Sequence, residues 1–199
     1  MTTRNKVTKS AIMVSMLIVG SKILGFLRET LFAAKFGSGM ESDTFFVALA
    51  VISLITNLMV NAITTTTIPV LTEIEISEGK SAKIKHTNNM INVMLVASVF
   101  IALLVWLTSP QLVKLTAKGF EGEQFNLAVK LIRIGAPVIL FSSMIGPLTG
   151  FLQSEQLHLS SAAIGYPFNI VYLIYLVFFT SKFGIKGLMV DKALIVGVN

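Results

Sequence analysis

Residues 44–71 read TFFVALAVISLITNLMVNAITTTTIPVL, without a charged side chain anywhere in the run. A hydrocarbon core about 30 Å thick takes roughly 20 apolar residues of α-helix, so this stretch is long enough to cross a bilayer. The rest of the chain excludes a soluble core as its setting. The AVILMFWYC set supplies 54% of the 199 residues, charged residues 13%, and the mean hydropathy is +0.80. Ordinary soluble domains carry about 25% charge, and a chain this poor in charge cannot cover its own surface with polar groups. A soluble enzyme and a disordered tail are therefore excluded. So is a nucleic-acid partner, and the excess of 16 Lys+Arg over 10 Asp+Glu asks for a membrane explanation.

Working outward from residues 44–71, five more spans are predicted. The first covers about 11–36, interrupted by Lys22, Arg28 and Glu29. The third is 90–109, closed by Pro110, and the fourth is 127–152, with Lys130 and Arg133 near its start and Pro137 and Pro147 inside. The fifth is 160–180. A sixth, 184–199, is interrupted by Asp191 and Lys192. The connections are a glycine-rich turn at 37–42, a charged amphipathic link at 73–89 and a polar segment at 114–124. No room is left for a soluble domain, so residues 1–199 are expected to form one helical membrane lobe. Backbone groups in lipid must be satisfied internally, and the alternation of a β-barrel is missing, so the fold class is all-α: a polytopic bundle of about six transmembrane helices.

The apolar pattern of the first span continues to Phe36 without an A-x-A-like site, which argues against a cleavable signal peptide. Arg4, Lys6 and Lys9 precede that span and Lys35 alone follows it, so the positive-inside rule puts the N-terminus in the cytoplasm. With no cysteine and two isolated histidines, His86 and His158, no metal site, cofactor or catalytic nucleophile is expected.

Charges inside spans carry the functional signal. Lys22 lies near the centre of its span, where a charge costs about 2.5–3.5 kcal/mol even on lenient insertion scales. Glu29 follows it at i+7 on nearly the same face, and Arg28 and Lys35 share another. One reading is an anion site within the membrane. The other is snorkelling, together with an Arg28 ion pair to Glu29 or Asp43 that fastens the first two helices. Asp43, opening the second span, suits a helix cap and also a gate paired with Arg28. Asn57, Asn61 and Thr64 or Thr65 form a polar stripe that lines a cavity or bonds a neighbouring helix. Thr64 to Thr67 before Pro69 suggest a bend, and Arg133, Gly135, Pro137, Gly146, Pro147 and Gly150 describe a kinked, closely packing fourth span.

Residues 21–29, SKILGFLRE, and 36–48, FGSGMESDTFFVA, resemble the N-terminal signature of the MurJ/MviN family of the MOP exporter superfamily. Residues 68–71 (IPVL), 150–154 (GFLQS) and 167–169 (PFN) support the resemblance. It implies the N-lobe of the MOP exporter fold, the second lobe being absent, in a multi-pass protein of the bacterial cytoplasmic membrane. It also implies flipping of lipid II, a lipid-linked diphosphate glycan, by alternating access, with no bond made or broken and hence no enzyme. Membrane lipids are the other expected partner, and a coupling ion or the membrane potential would drive the cycle.

Within the resemblance, Lys22 and Arg28 map onto cavity-facing basic residues and Asp43 onto an acidic residue opening helix two. With Asn57 and Asn61, the two cations are the expected substrate-binding residues; Glu29, Asp43 and Arg133 are the gating or ion-pair residues. Thr56 stands where the family has a further arginine, which leaves room for another polyprenyl-diphosphate-linked polysaccharide, or for a drug as in the multidrug branch. A non-transporting fragment or interaction subunit is the reading from a different class.

Overall fold

The structure, a computed structural model, describes residues 3–155, 165–179, 184–187 and 189. Most of the sixth predicted span and the start of the fifth lie outside the described residues. The described chain is helical: α1 (Thr3–Phe36), α2 (Met40–Glu78), α3 (Lys80–Leu107), α4 (Ser109–Thr116), α5 (Gly122–Gly135), α6 (Val138–Ser154) and α7 (Gly165–Ile174). A π-helical segment, Tyr175–Phe179, continues α7.

One expectation changes. The link at 73–89 is helical except at Gly79, whose φ of 86° ends α2 and starts α3. Its charged residues lie beyond the apolar runs, where helix is compatible with charge and the backbone bonds of both helices simply continue. Pro69 sits inside α2, which runs through it as one element. The hydroxyls of Thr65 and Thr66 bond back to the Asn61 and Ala62 carbonyls, a pattern helices tolerate. The fourth span is two helices bent by 44° across Ala136 and Pro137, because proline removes a backbone donor and crowds the preceding turn.

The core lies where α2 meets α5 and α6, around the fully buried Phe45, Ile52, Leu131, Ile132 and Ile139. Glycines set the α2–α6 distance. A Cβ on Gly146 would come within 2.9 Å of the Ile63 Cβ, and one on Gly150 within 2.7 Å of the Thr67 Cγ2. Gly146 and Gly150 are a small-xxx-small pair, which lets two backbones approach where lipid offers no hydrophobic gain from association. Thr64 adds an interhelical hydrogen bond to the Gly146 carbonyl at 3.3 Å.

α1 stands apart from this core. It touches α2 at the turn, where Phe32 packs against Phe36, Phe45 and Phe46. Beyond the turn it lies along α7 and the π segment. Ser42 closes the turn, its hydroxyl donating to the Gly37 carbonyl at 3.0 Å.

Among the described residues, α2 and α3 are long and apolar enough to cross a membrane, and the bent α5–α6 pair makes a third such unit. Apolar side chains face outward, Phe26, Val96 and Phe178 each about 70% exposed, as expected of a surface against lipid rather than water. The α5–α6 pair is tied to both ends of α3. Arg133 stacks on Trp106 at 4.7 Å, and Glu155 pairs with Lys83 at 2.8 Å. From Lys83 to Trp106 is on the order of 34 Å at the helical rise of 1.5 Å per residue. That is comparable to the roughly 30 Å hydrocarbon core.

Candidate functional site

Arg28 is the best-anchored cation of the α1–α7 face. Its Nη1 donates to Asn169 Oδ1 at 3.3 Å, Nη2 pairs with the neighbouring Glu29, and the guanidinium lies 5.2 Å from the centre of the Tyr172 ring. Asn169 is buried and donates through Nδ2 to the Ser21 carbonyl at 3.1 Å, so one amide both fastens α7 to α1 and positions Arg28. Tyr166 donates to the Leu17 carbonyl one turn earlier, at 2.9 Å, against Gly20. A larger residue than glycine there would meet the phenol oxygen. Sequence reasoning reached Arg28 and Glu29 but missed Asn169 and Tyr172; the sole signal for Asn169 was its place in the family-like PFN triplet.

Lys22 is exposed, on the same free face of α1 as Ile18, Phe26 and Glu29. Among the described residues it makes no hydrogen bond or ion pair. Asp43 does not meet Arg28. It sits exposed in the first turn of α2 beside Glu41, where both carboxylates complement the helix dipole. The N-cap is Gly39, with no side-chain cap bond. Asn57 and Asn61 are exposed on α2, whereas Thr64, expected in the same stripe, is spent on the α2–α6 contact. Thr56 is buried and its hydroxyl donates to the Ser53 carbonyl at 3.2 Å. Among the described residues Arg133 makes no hydrogen bond or ion pair with any of these side chains. Its Nε donates to Ser109 Oγ at 3.0 Å, and among the described residues no carboxylate pairs with it.

A second polar cluster, absent from the sequence expectations, lies at the opposite end of α3. Lys83 has a fully buried side chain, yet its Nζ reaches Glu75 Oε2 at 2.6 Å and Glu155 Oε1 at 2.8 Å, with the Phe151 ring 5.2 Å away. Lys80 adds a bond to Glu155 Oε2 at 3.1 Å. The cluster joins α2, α3 and the end of α6. The hydrogen bond from Lys83, with that from Lys80, holds the Glu155 carboxyl below its usual value of 4.5.

An α1 that meets α2 at one tight turn, a small-residue α2–α6 seam and exposed polar side chains on α1 and α2 are the features of this helical membrane chain. A family model described as Lipid II flippase MurJ matches residues 32–198. The chain belongs to the MurJ family. The probable lipid II flippase MurJ of Buchnera aphidicola subsp. Baizongia pistaciae is 31% identical over 196 residues, covering 96% of this chain and 38% of that protein. The probable lipid II flippase MurJ of Rhizobium tropici is 30% identical over 171 residues, or 83% of this chain and 32% of the relative. The lipid II flippase MurJ of Burkholderia cenocepacia is 27% identical, over 89% of this chain and 35% of its own. A solved structure of a lipid II flippase MurJ in an inward closed conformation superposes with a TM-score of 0.79 at 23% identity, covering 94% of this chain and 40% of that one. This likeness shows the fold, a membrane helix bundle. The chain thus spans about two fifths or less of the length of these MurJ relatives.

Proposed function

We propose that this chain builds one wall of a cavity that carries lipid II outward across the bacterial cytoplasmic membrane by alternating access. The observation that carries this reading is Lys22: a cation near the middle of an apolar helix, without an anionic partner among the described residues, on a face that the lobe leaves open. Such a charge is costly unless an anion meets it, and the diphosphate of a polyprenyl-linked glycan is an anion that must pass at this depth. Arg28, held by Asn169 over Tyr172, is the second cation for the diphosphate, and Asn57 and Asn61 supply neutral hydrogen bonds to it. Glu29 and Asp43 are the acidic groups available for a coupling ion or for response to the membrane potential. The chemistry is binding and release. No bond in the cargo is made or broken, and the protein acts as a transporter rather than an enzyme.

The decisive test is complementation. The intact protein should restore growth and shape to cells depleted of their lipid II flippase. Insertion in the membrane without rescue would overturn the peptidoglycan assignment. One observation favours a second cargo, another polyprenyl-diphosphate-linked polysaccharide: Thr56 is buried and bonded to its own helix, so that position offers no further cation. Rescue of a strain lacking such a polysaccharide flippase, and not of the first, would select it.

The N-terminus is placed in the cytoplasm on the strength of Arg4, Lys6 and Lys9. The α2–α3 junction is then inside and the α4–α5 junction outside. Because this chain has no cysteine, single reporters are clean. A membrane-impermeant maleimide on intact cells should label Gly119→Cys and spare Ser81→Cys; the reverse pattern would invert the topology.

A further inference from the structure

Between α3 and the α5–α6 break lies an open cleft of about 420 Å³, within the size range of ligand pockets. None of its lining residues belongs to α1, α2 or α7, the elements that carry Lys22, Arg28, Asn57 and Asn61. Val99, Leu103, Pro137 and Leu140 make it apolar along its length, and Trp106 and Arg133 stand together at one end. Trp106 closes the apolar run of α3, and an indole at that position belongs at the headgroup level of a bilayer. The guanidinium, stacked on it at 4.7 Å, is held at the same depth. Seven residues of helix separate Trp106 from Val99, so the apolar floor runs about 10 Å from that level into the hydrocarbon.

The guanidinium is only partly used. Nε donates to Ser109 Oγ at 3.0 Å and, at 3.4 Å, to the Trp106 carbonyl. A guanidinium has five N–H donors, and the two terminal nitrogens find no acceptor among the described residues. Its place in the last turn of α5 suits the helix dipole, which accounts for a positive charge there. The dipole does not account for a fork of free donors above an apolar trough, because an ammonium would serve it as well. Planar, paired donors match the oxygens of a phosphate.

We infer that this cleft binds an anionic glycerophospholipid of the surrounding bilayer, its phosphate on the terminal nitrogens of Arg133 beside Trp106 and an acyl chain laid along Val99, Leu103 and Leu140. The headgroup provides the acceptors that the protein lacks, and the chain fills the furrow left by the bend at Pro137. A lipid seated there braces the bent pair against the end of α3 opposite the Lys83 cluster.

Native mass spectrometry of the intact protein in detergent, titrated with phosphatidylglycerol, tests this. Wild type should retain the lipid, whereas diacylglycerol with the same tails and inorganic phosphate should neither bind nor compete. Arg133→Gln should weaken retention at least about tenfold, the loss of one or more charge-assisted hydrogen bonds, and Arg133→Lys should fall between. Leu103→Trp, at a half-exposed position that leaves Arg133 intact, should weaken it comparably by filling the furrow. This decides the matter even if Arg133→Gln does not fold. Retention of diacylglycerol equal to phosphatidylglycerol would overturn the phosphate contact, and competition by inorganic phosphate would reassign the site to a free anion. Unchanged retention in Leu103→Trp would remove the lipid from this cleft.

Discussion

Lys22→Ala should abolish transport by the intact protein while leaving its amount in the membrane unchanged. A charge-assisted hydrogen bond is worth about 1.5–3 kcal/mol, so losing it at the step that carries a diphosphate through the bilayer corresponds to a fall of roughly 10- to 100-fold in rate. Lys22→Arg, which keeps the positive charge, should retain activity, and Lys22→Glu should be at least as defective as alanine. The structure sharpens the contrast with Arg28. Lys22 makes no contact that the described lobe needs, whereas Arg28 holds Asn169 and covers Tyr172. Arg28→Ala should therefore lower both transport and abundance. Membrane quantification beside a flipping assay separates the two, and a Lys22→Ala protein that fails to accumulate would assign Lys22 a bracing role instead.

Lys83→Met should be the most destabilising charge removal in the lobe. Methionine keeps an apolar side chain of similar length beside Phe151, strips Glu75 of its cation and leaves Glu155 with the exposed Lys80 alone. Breaking a buried pair costs about 3–5 kcal/mol. Here both carboxylates keep contact with solvent, their side chains 37% and 20% exposed, so about 2–3 kcal/mol is expected, read as a lower melting midpoint in detergent. Adding Glu155→Gln to Lys83→Met should recover part of the loss. Acid should mimic it. The Glu155 carboxyl is held below its unfolded value of 4.5, so its contribution is present above that pH and fades as pH falls through the lower, folded value. Wild type should melt at a constant temperature from pH 7 to about 5 and progressively lower below 4.5, with a shallower acid limb in Glu155→Gln. Equal melting of Lys83→Met and wild type would show that the cluster does not fasten α3 to α6.

Much of the lobe was legible because its signals are local. The charge-free run at 44–71 announces α2, and Pro137 marks the place where the fourth span breaks. The polar ends were less legible. Hydropathy ends a span where charge begins, yet the helix continues through residues 73–89 because helical backbone bonds tolerate charge outside lipid. The proposed site divides the same way. Lys22 and Arg28 stood out as charges in an apolar helix, but nothing local separates a cation that is free from one that is held.

Composition and the spacing of apolar residues were enough to establish a helical membrane protein and to single out the cations that lipid cannot tolerate unaided, because each depends on neighbours along the chain. Folding decided which cations have partners. Asn169 reaches Arg28 across 141 positions and Glu155 reaches Lys83 across 72. Pairing at such separations depends on how helices lie side by side, set by close glycine contacts and a bend of 44°, and helical periodicity carries no information about that.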